Sequence, residues 1–446
     1  MERKRVLCAV NLPQRDRLKN EILATHLRGR GFEVRVVDFL PRHREHILYW
    51  KPDVIVIPEA RCEYTCKLCE TLMSWDVITV ILRTEPGCSK GAWEKMEWAE
   101  KQTVISAWPY SCDMELVWSQ DFGDILAENG HIGSDKIVVI GGTPFDIYFR
   151  EPRPKIEGRK NLLFATGWGH ADRSREYNVP EAPPGSPVHW QAFDRHNKGR
   201  AAWISMMNKM VKALDPLGWK FFHSVKTGEM PGAYQGKLDP KITLIMPTPT
   251  YILLQNSDLV IHPGSTFGLG AHFSGVPGFS FCGNLNQTVG YEYPHIHPDF
   301  EDEDKLIEAV KEFVGSPENL GKSNADLMNV KRLENEFYGT IDGKALERAA
   351  TAIATYVNSV PKVSNIPDIW PVQNLNLHTP GVSKTLVQWV CEICHQNAFT
   401  FDMRTMIKCP HCGISLARVG MPIEQKGVGQ NVLQQHQPLN VPAPNR

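Results

Sequence analysis

The sequence is poor in several features, and each shortage narrows what it can be. Neither sign of charge is in excess: 49 Lys+Arg stand against 50 Asp+Glu, a formal net charge of −1. No global positive field therefore advertises nucleic acid or a membrane surface as partner. No apolar run approaches the ~20 residues that span a bilayer. The basic start Met1–Arg5 leads into apolar residues that stop at Asn11, too short a run for a secretory core. These absences set the expectation of a soluble, cytoplasmic protein without a transmembrane segment. Internal repeats are lacking, and 42% hydrophobic with 22% charged residues is an ordinary globular composition. At roughly 150 residues per domain, a chain of 446 residues suggests two core-forming domains and a small module.

What is present is organised in two series. Short apolar runs at Arg5–Val10, Val34–Phe39, Asp53–Pro58, Val77–Leu82, Val104–Trp108 and Lys136–Ile140 alternate with helical patterns such as Arg15–Arg28. Runs with little internal alternation, separated by helices, predict a parallel doubly wound sheet. A polar, Pro-rich passage at 151–160 interrupts the pattern. A second series of the same kind follows: strands at Asn161–Thr166, Trp219–Val225, Ile242–Met246, Leu259–His262 and Gly278–Phe281, helices at Ala201–Leu214 and Lys305–Val314, and a final helix at Asp342–Val360. Residues 170–200 read as a long loop. The fold class is α/β: a Rossmann-like domain over 1–155, a second over 156–360, a linker over 361–385, a small module over 386–420 and a disordered tail over 421–446.

The eleven cysteines fall mainly in two clusters, which in a reducing compartment point to metal rather than disulfides. Cys391 and Cys394, then Cys409 and Cys412, form two Cys-x-x-Cys knuckles separated by fourteen residues. That is the arrangement of a zinc ribbon, in which four thiolates close a tetrahedral structural Zn²⁺ site. The spacing Cys62, Cys66, Cys69 is the one with which radical S-adenosylmethionine enzymes hold an iron–sulfur cluster, but no continuation of that pattern follows. Ordinary thiols, another metal or redox role, and a cluster stay open for these three.

The most informative segment runs from Ser257 to Pro277. A strand ends at His262, a small-residue turn follows through Gly264, and a helix begins at Ser265 or Thr266. Free amides and hydroxyls at such a helix start suit an anion, diphosphate above all. The same residues also serve as a plain helix cap. Gly167 and Gly169 follow the first strand of the second series.

These segments resemble the GT-B glycosyltransferases, in particular the bacterial surface-carbohydrate-biosynthesis and CDP-glycerol-transferase-like branch. The resemblance rests on "SDLVIH" followed by Ser265, Thr266, Gly275 and Pro277, on "KIVVIGGTPFDIY" at Lys136–Tyr148, on "TEPG" at Thr84–Gly87, and on Asp342, Gly343, Lys344 and Arg348 opening the last helix. Two positions depart from the family: Gly270 stands where a ribose-binding Glu is usual, and Lys226–Glu229 replaces the family's His-Pro-Gly-Glu.

The resemblance implies a nucleotide-sugar donor held by the second domain and an acceptor, a glycan or a polymer such as nucleic acid with hydroxylated bases, received by the first. The final helix would cross back to the first domain, and no divalent metal would be needed at the donor. His262, Gly264, Ser265, Thr266, Lys226, Glu229, Gly167 and Gly169 become donor-binding candidates, and Glu85, then Glu59, candidates for the base. Asp146 is expected to organise the hinge. The rival reading is a non-catalytic GT-B-like binding protein that recruits nucleic acid or protein through its zinc ribbon. Donor, acceptor, stereochemistry and oligomeric state are not legible at this stage.

Overall fold

The computed structural model describes residues 3–11, 13–59, 63–85, 87–96, 101, 105, 110–129, 132–151, 153–154, 156–165, 188–225, 231–263, 266–281, 296–361, 363–368, 387–390 and 397–400. The chain divides into two compact units, Met1–Trp370 and Pro371–Arg446.

The first unit holds two six-stranded parallel sheets. In one, β1 (Arg5–Val10), β2 (Glu33–Asp38), β3 (Val54–Ile57), β4 (Ile78–Leu82), β5 (Met114–Val117) and β6 (Ile137–Val139) lie in the order β2-β1-β3-β4-β5-β6. In the other, β7 (Asn161–Ala165), β8 (Lys220–Ser224), β9 (Ile242–Ile245), β10 (Leu259–His262), β11 (Gly278–Phe281) and β12 (Asp299–Phe300) lie in the order β12-β11-β10-β7-β8-β9. Every residue of β3, β4, β5, β10 and β11 is buried. Helices cover both faces, which is why these strands carry no polar alternation. The architecture is that of two Rossmann-like domains of the GT-B fold.

Two elements differ from expectation. The fifth strand of the first sheet is Met114–Val117 and not Val104–Trp108, a stretch that apart from Ile105 lies outside the described residues. Glu115 interrupts the apolar run of β5 and hides it from a hydrophobicity reading. Its charge is tolerated because Arg83 Nε lies 2.5 Å from its carboxylate, with both side chains fully buried. The helix expected from Ala201 begins at Val188 and runs to Leu214, so the second part of the expected loop is helical. The polar residues 188–200 break the 3.6-residue apolar period that would have shown it.

The last long helix, Ala345–Ser359, returns to the first sheet. Its buried face, Leu346, Ala349, Ala350, Ile353 and Val357, packs against Val6, Val54, Val56 and Val80. Each large side chain so buried contributes roughly 1.5–3 kcal/mol. Asp146, itself buried, accepts hydrogen bonds from the amides of Ala345 at 3.1 Å and Leu346 at 2.7 Å. A side chain from the first half thus caps a helix nearly two hundred positions away. Arg348 Nε donates to the carbonyl of Ile140 at 2.7 Å and its Nη1 pairs with Asp342.

An aromatic cluster joins the halves: Trp118, just past β5, and Phe145, just past β6, pack with Leu269, Phe337 and Tyr338. Phe145 meets Tyr338 edge-on at 5.4 Å between centroids. Gly339 follows at φ 63°, and a Cβ there would sit 2.0 Å from the carbonyl oxygen of Trp118. Only glycine satisfies both the left-handed backbone and the close approach. Residues 363–368 continue along the first half: Ile366 enters its core and the Asn365 amide donates to the Trp75 carbonyl at 2.7 Å.

The second unit is described only at β13 (Val387–Val390) and β14 (Asn397–Thr400), which pair antiparallel. No helix among the described residues is long and apolar enough to cross a membrane.

Candidate functional site

In open parallel sheets, ligands sit beyond the carboxyl ends of the strands where the strand order reverses. In the second sheet that point lies between β7 and β10, which are hydrogen-bonded neighbours. In the first sheet it lies between β1 and β3. Both points carry the polar chemistry of the molecule.

At the second-sheet point, β10 delivers His262, which is buried, and the helix Thr266–Phe273 follows directly. Thr266, its first residue, is exposed. Its hydroxyl and the amides of the first turn are the groups an anion would meet. His262 Nε2 lies 2.8 Å from Nδ1 of His297, also buried, with the rings tilted at 68°. Two glycines make the space: a Cβ on Gly268 would lie 2.7 Å from the His262 ring, and one on Gly278 would lie 2.9 Å from the His297 ring. Burial, with some help from His272, pushes His297 down to about 3, so its imidazole is neutral at pH 7.

At the first-sheet point a charged cluster gathers from three strand exits. Arg15, in the first turn of the helix Pro13–Gly29, donates to Glu85 Oε1 at 3.0 Å and to Asp16 Oδ1 at 2.8 Å, and its Nη2 stands 3.6 Å from Glu59. The Thr84 hydroxyl donates to Glu59. Lys19 lies 3.6 Å from Asp16. Burial pulls the Lys19 ammonium down to about 8, with the Asp16 carboxylate opposing the shift. Beneath the cluster, Arg83, Glu115 and Tyr110 form a buried triad, with Arg83 Nη2 donating to the Tyr110 oxygen at 2.9 Å and Tyr110 to Glu115 at 2.5 Å.

The structure thus places Glu59 and Glu85 in one cluster, and His262 and Thr266 in another. Gly264, Ser265, Lys226, Glu229, Gly167 and Gly169 lie outside the described residues, as do Cys391, Cys394, Cys409 and Cys412. Cys62 lies outside them as well. Cys66 and Cys69 are buried in the hydrophobic core, and burial pushes the Cys69 thiol up, away from the thiolate a cluster needs. No group of three or more His, Cys, Asp or Glu placed to hold a metal occurs among the described residues. The chain's one Asp-x-Asp, Asp302–Asp304, is a helix start: Asp302 accepts from the amides of Asp304 and Lys305, both at 2.9 Å.

Gly270 has a structural explanation. A Cβ there would lie 2.6 Å from the Tyr148 hydroxyl and 3.1 Å from Leu254, so the position is filled by packing between the halves and has no room for a glutamate. A cavity of about 380 Å³ bounded by Asp215, Trp219, Phe221 and Lys241 opens at the amino ends of β8 and β9. That is the edge opposite the switch point, and the topological rule outweighs its size.

His297, Arg15 and Lys19 were not visible as site residues in the sequence. His297 lies 35 positions from His262, on a different loop, and nothing in either segment announces the pairing. Arg15 and Lys19 read simply as the polar face of a helix.

No protein-family model matches the chain, and no curated protein matches it in sequence. Solved structures do resemble it. The S. aureus MnaA–UDP co-structure is similar at 15% identity and a TM-score of 0.50, over 82% of this chain and all of that one. The UDP-GlcNAc 2-epimerase of Methanocaldococcus jannaschii (15% identity, TM-score 0.48, 80% of this chain and 100% of that one) and the wall teichoic acid polymerase TagF (10%, 0.49, 80% and 90%) lie slightly further off. At these identities the likeness to MnaA establishes the fold of two Rossmann-like domains, and nothing finer.

Proposed function

We propose that the protein is a nucleotide-sugar-dependent glycosyltransferase. The observation that carries this reading is the second-sheet switch point, where buried His262 and exposed Thr266 bracket the start of an eight-residue helix. A sugar leaving a nucleotide develops negative charge on its diphosphate. Amides and hydroxyls at Gly264, Ser265 and Thr266, with the Lys226 ammonium, stabilise that charge, and Glu229 contacts the rest of the donor. Gly167 and Gly169 are assigned to the donor as well. Glu85 then takes the proton of the acceptor hydroxyl, and Arg15, bonded to Glu85 and close to Glu59, orients both carboxylates. UDP in the S. aureus MnaA co-structure supports a nucleotide diphosphate as ligand of this fold.

The test is a panel of UDP, CDP and GDP sugars, read by thermal stabilisation and nucleotide release. At least one donor is expected to respond. Ser265→Ala with Thr266→Ala is expected to weaken its binding roughly tenfold for each hydrogen bond lost. The rival, a GT-B-like module without chemistry, draws on the closed position at Gly270. Silence across the whole panel decides for it. The acceptor, glycan or hydroxylated nucleic acid, follows from which polymer is labelled.

The same reading assigns a structural Zn²⁺ to Cys391, Cys394, Cys409 and Cys412. The pairing of β13 with β14 supports it, because this hairpin brackets the first knuckle. Four thiolates saturate the ion, so its contribution is to folding of a short module, on the order of 10 kcal/mol. Metal analysis of the full chain is expected to find one zinc, and none after Cys391→Ser with Cys409→Ser. Donor binding should survive that change, and a zinc content unaffected by it would refute the assignment.

A further inference from the structure

We propose that His297 is a positioning residue: its Nδ1–H donates to His262 Nε2, holds His262 in the neutral Nδ1–H tautomer against the helix Thr266–Phe273, and thereby sets the pyrophosphate affinity of that helix start. The ligand class rests on the reading of this corner as the diphosphate site.

The argument begins with a proton count. The two rings meet at 2.8 Å between His262 Nε2 and His297 Nδ1, so one of these nitrogens donates and the other accepts. His297 is 3% exposed, and burial keeps it neutral, with a single N–H to place. Its Nε2 is buried without a hydrogen-bond partner. If His262 donated, the His297 proton would sit on Nε2 as an orphaned buried N–H, the rarer and costlier defect. If His297 donates from Nδ1, Nε2 keeps only an unused lone pair. The second arrangement is the stable one, and it leaves the proton of a neutral His262 on Nδ1.

The surroundings are built for this contact. Gly278, the first residue of β11, leaves room for the His297 ring, and Gly268, in the first turn of the helix, leaves room for that of His262. The His262 ring is therefore held between His297 and the turn whose amides face the ligand. Loss of the hydrogen bond removes the contact that fixes the His262 ring beside the Gly268 turn, and the ring can turn or shift. Either response disturbs the helix start.

The experiment uses the full chain, ¹⁵N-histidine labelling and inorganic pyrophosphate as probe. Imidazole spectra at pH 7, assigned through His262→Asn and His297→Asn, are expected to show His262 as the Nδ1–H tautomer and His297 neutral. An Nε2–H or cationic His262 overturns the proposal. His297→Asn keeps an N–H near the position of Nδ1 and should hold pyrophosphate affinity within about threefold of wild type. His297→Leu should weaken it about tenfold, the factor that one hydrogen bond of ordinary strength supplies. Equal losses in the two variants mean that His297 only fills space, which also overturns it. If His297→Leu fails to fold, the wild-type tautomer and the Asn variant still decide. Should wild type bind no pyrophosphate, the role at the ligand falls with the donor-site reading, while the spectra separately decide whether the tautomer is locked.

Discussion

Glu85→Gln is expected to lower donor turnover by roughly 10²–10⁴-fold, the range for removal of a general base, while the apparent affinity for the donor changes little. Glutamine keeps the length of the side chain and an oxygen for Arg15 to bond, so the 3.0 Å contact survives and only the capacity to take a proton is lost. Glu59 is the informative control. Its side chain is 19% exposed against 49% for Glu85, and it already accepts the Thr84 hydroxyl. A group held in that way supports the geometry of Arg15, and Glu59→Gln is expected to cost no more than about tenfold, the equivalent of one hydrogen bond. Initial rates of nucleotide release across the donor panel separate the two carboxylates. If Glu85→Gln stays within threefold of wild type while Glu59→Gln collapses, their roles are exchanged. If neither moves, the base lies elsewhere.

The two sheets were legible because β1, β3, β4 and β10 are apolar runs apart from Arg5, Thr79 and His262, and burial on both faces favours such filling. β5 was not, because stability there depends on an ion pair with a residue on another strand. The sequence of Met114–Val117 gives no sign that Arg83 neutralises Glu115. The candidate site was legible where its pattern is local, as at His262 and Thr266, since a strand exit that becomes a helix start can be read from the sequence. It was illegible where partners come together only through topology. Arg15 approaches Glu59 and Glu85 because the strand order places β1, β3 and β4 side by side, and His297, just ahead of β12, reaches His262 because β12, β11 and β10 are successive neighbours. Gly270 shows the same limit: its place in the sequence suggests a missing ligand, and only the packed fold shows Tyr148 in that space.

Arg83→Met is expected to destabilise the protein by about 3–5 kcal/mol, the cost of leaving a buried charge without its partner. Arg83 and Glu115 are both fully buried, with Arg83 Nε 2.5 Å from the carboxylate and the Tyr110 hydroxyl bridging the pair. Methionine fills much of the aliphatic volume of arginine, so the loss reflects the stranded Glu115 anion more than a cavity. Glu115→Leu is expected to cost a similar amount for the opposite reason, a stranded guanidinium. The double variant should fall within about 1–2 kcal/mol of wild type, because apolar groups of similar volume replace the pair without any charge to desolvate. It also removes the Arg83 Nη1 group, which is buried without a hydrogen-bond partner. Urea unfolding of the four proteins gives the coupling directly as a double-mutant cycle. Near-additive losses would show that the pair is not desolvated as the structure has it. The cycle also bears on the site, since Thr84 and Glu85 leave the sheet directly after Arg83, whose carbonyl accepts the Trp118 indole N–H at 2.9 Å. That bond uses only the backbone of Arg83 and persists in the double variant. Donor turnover should therefore follow the recovered stability, whereas a double variant that is stable but inactive would assign the Arg83 guanidinium to the position of Glu85.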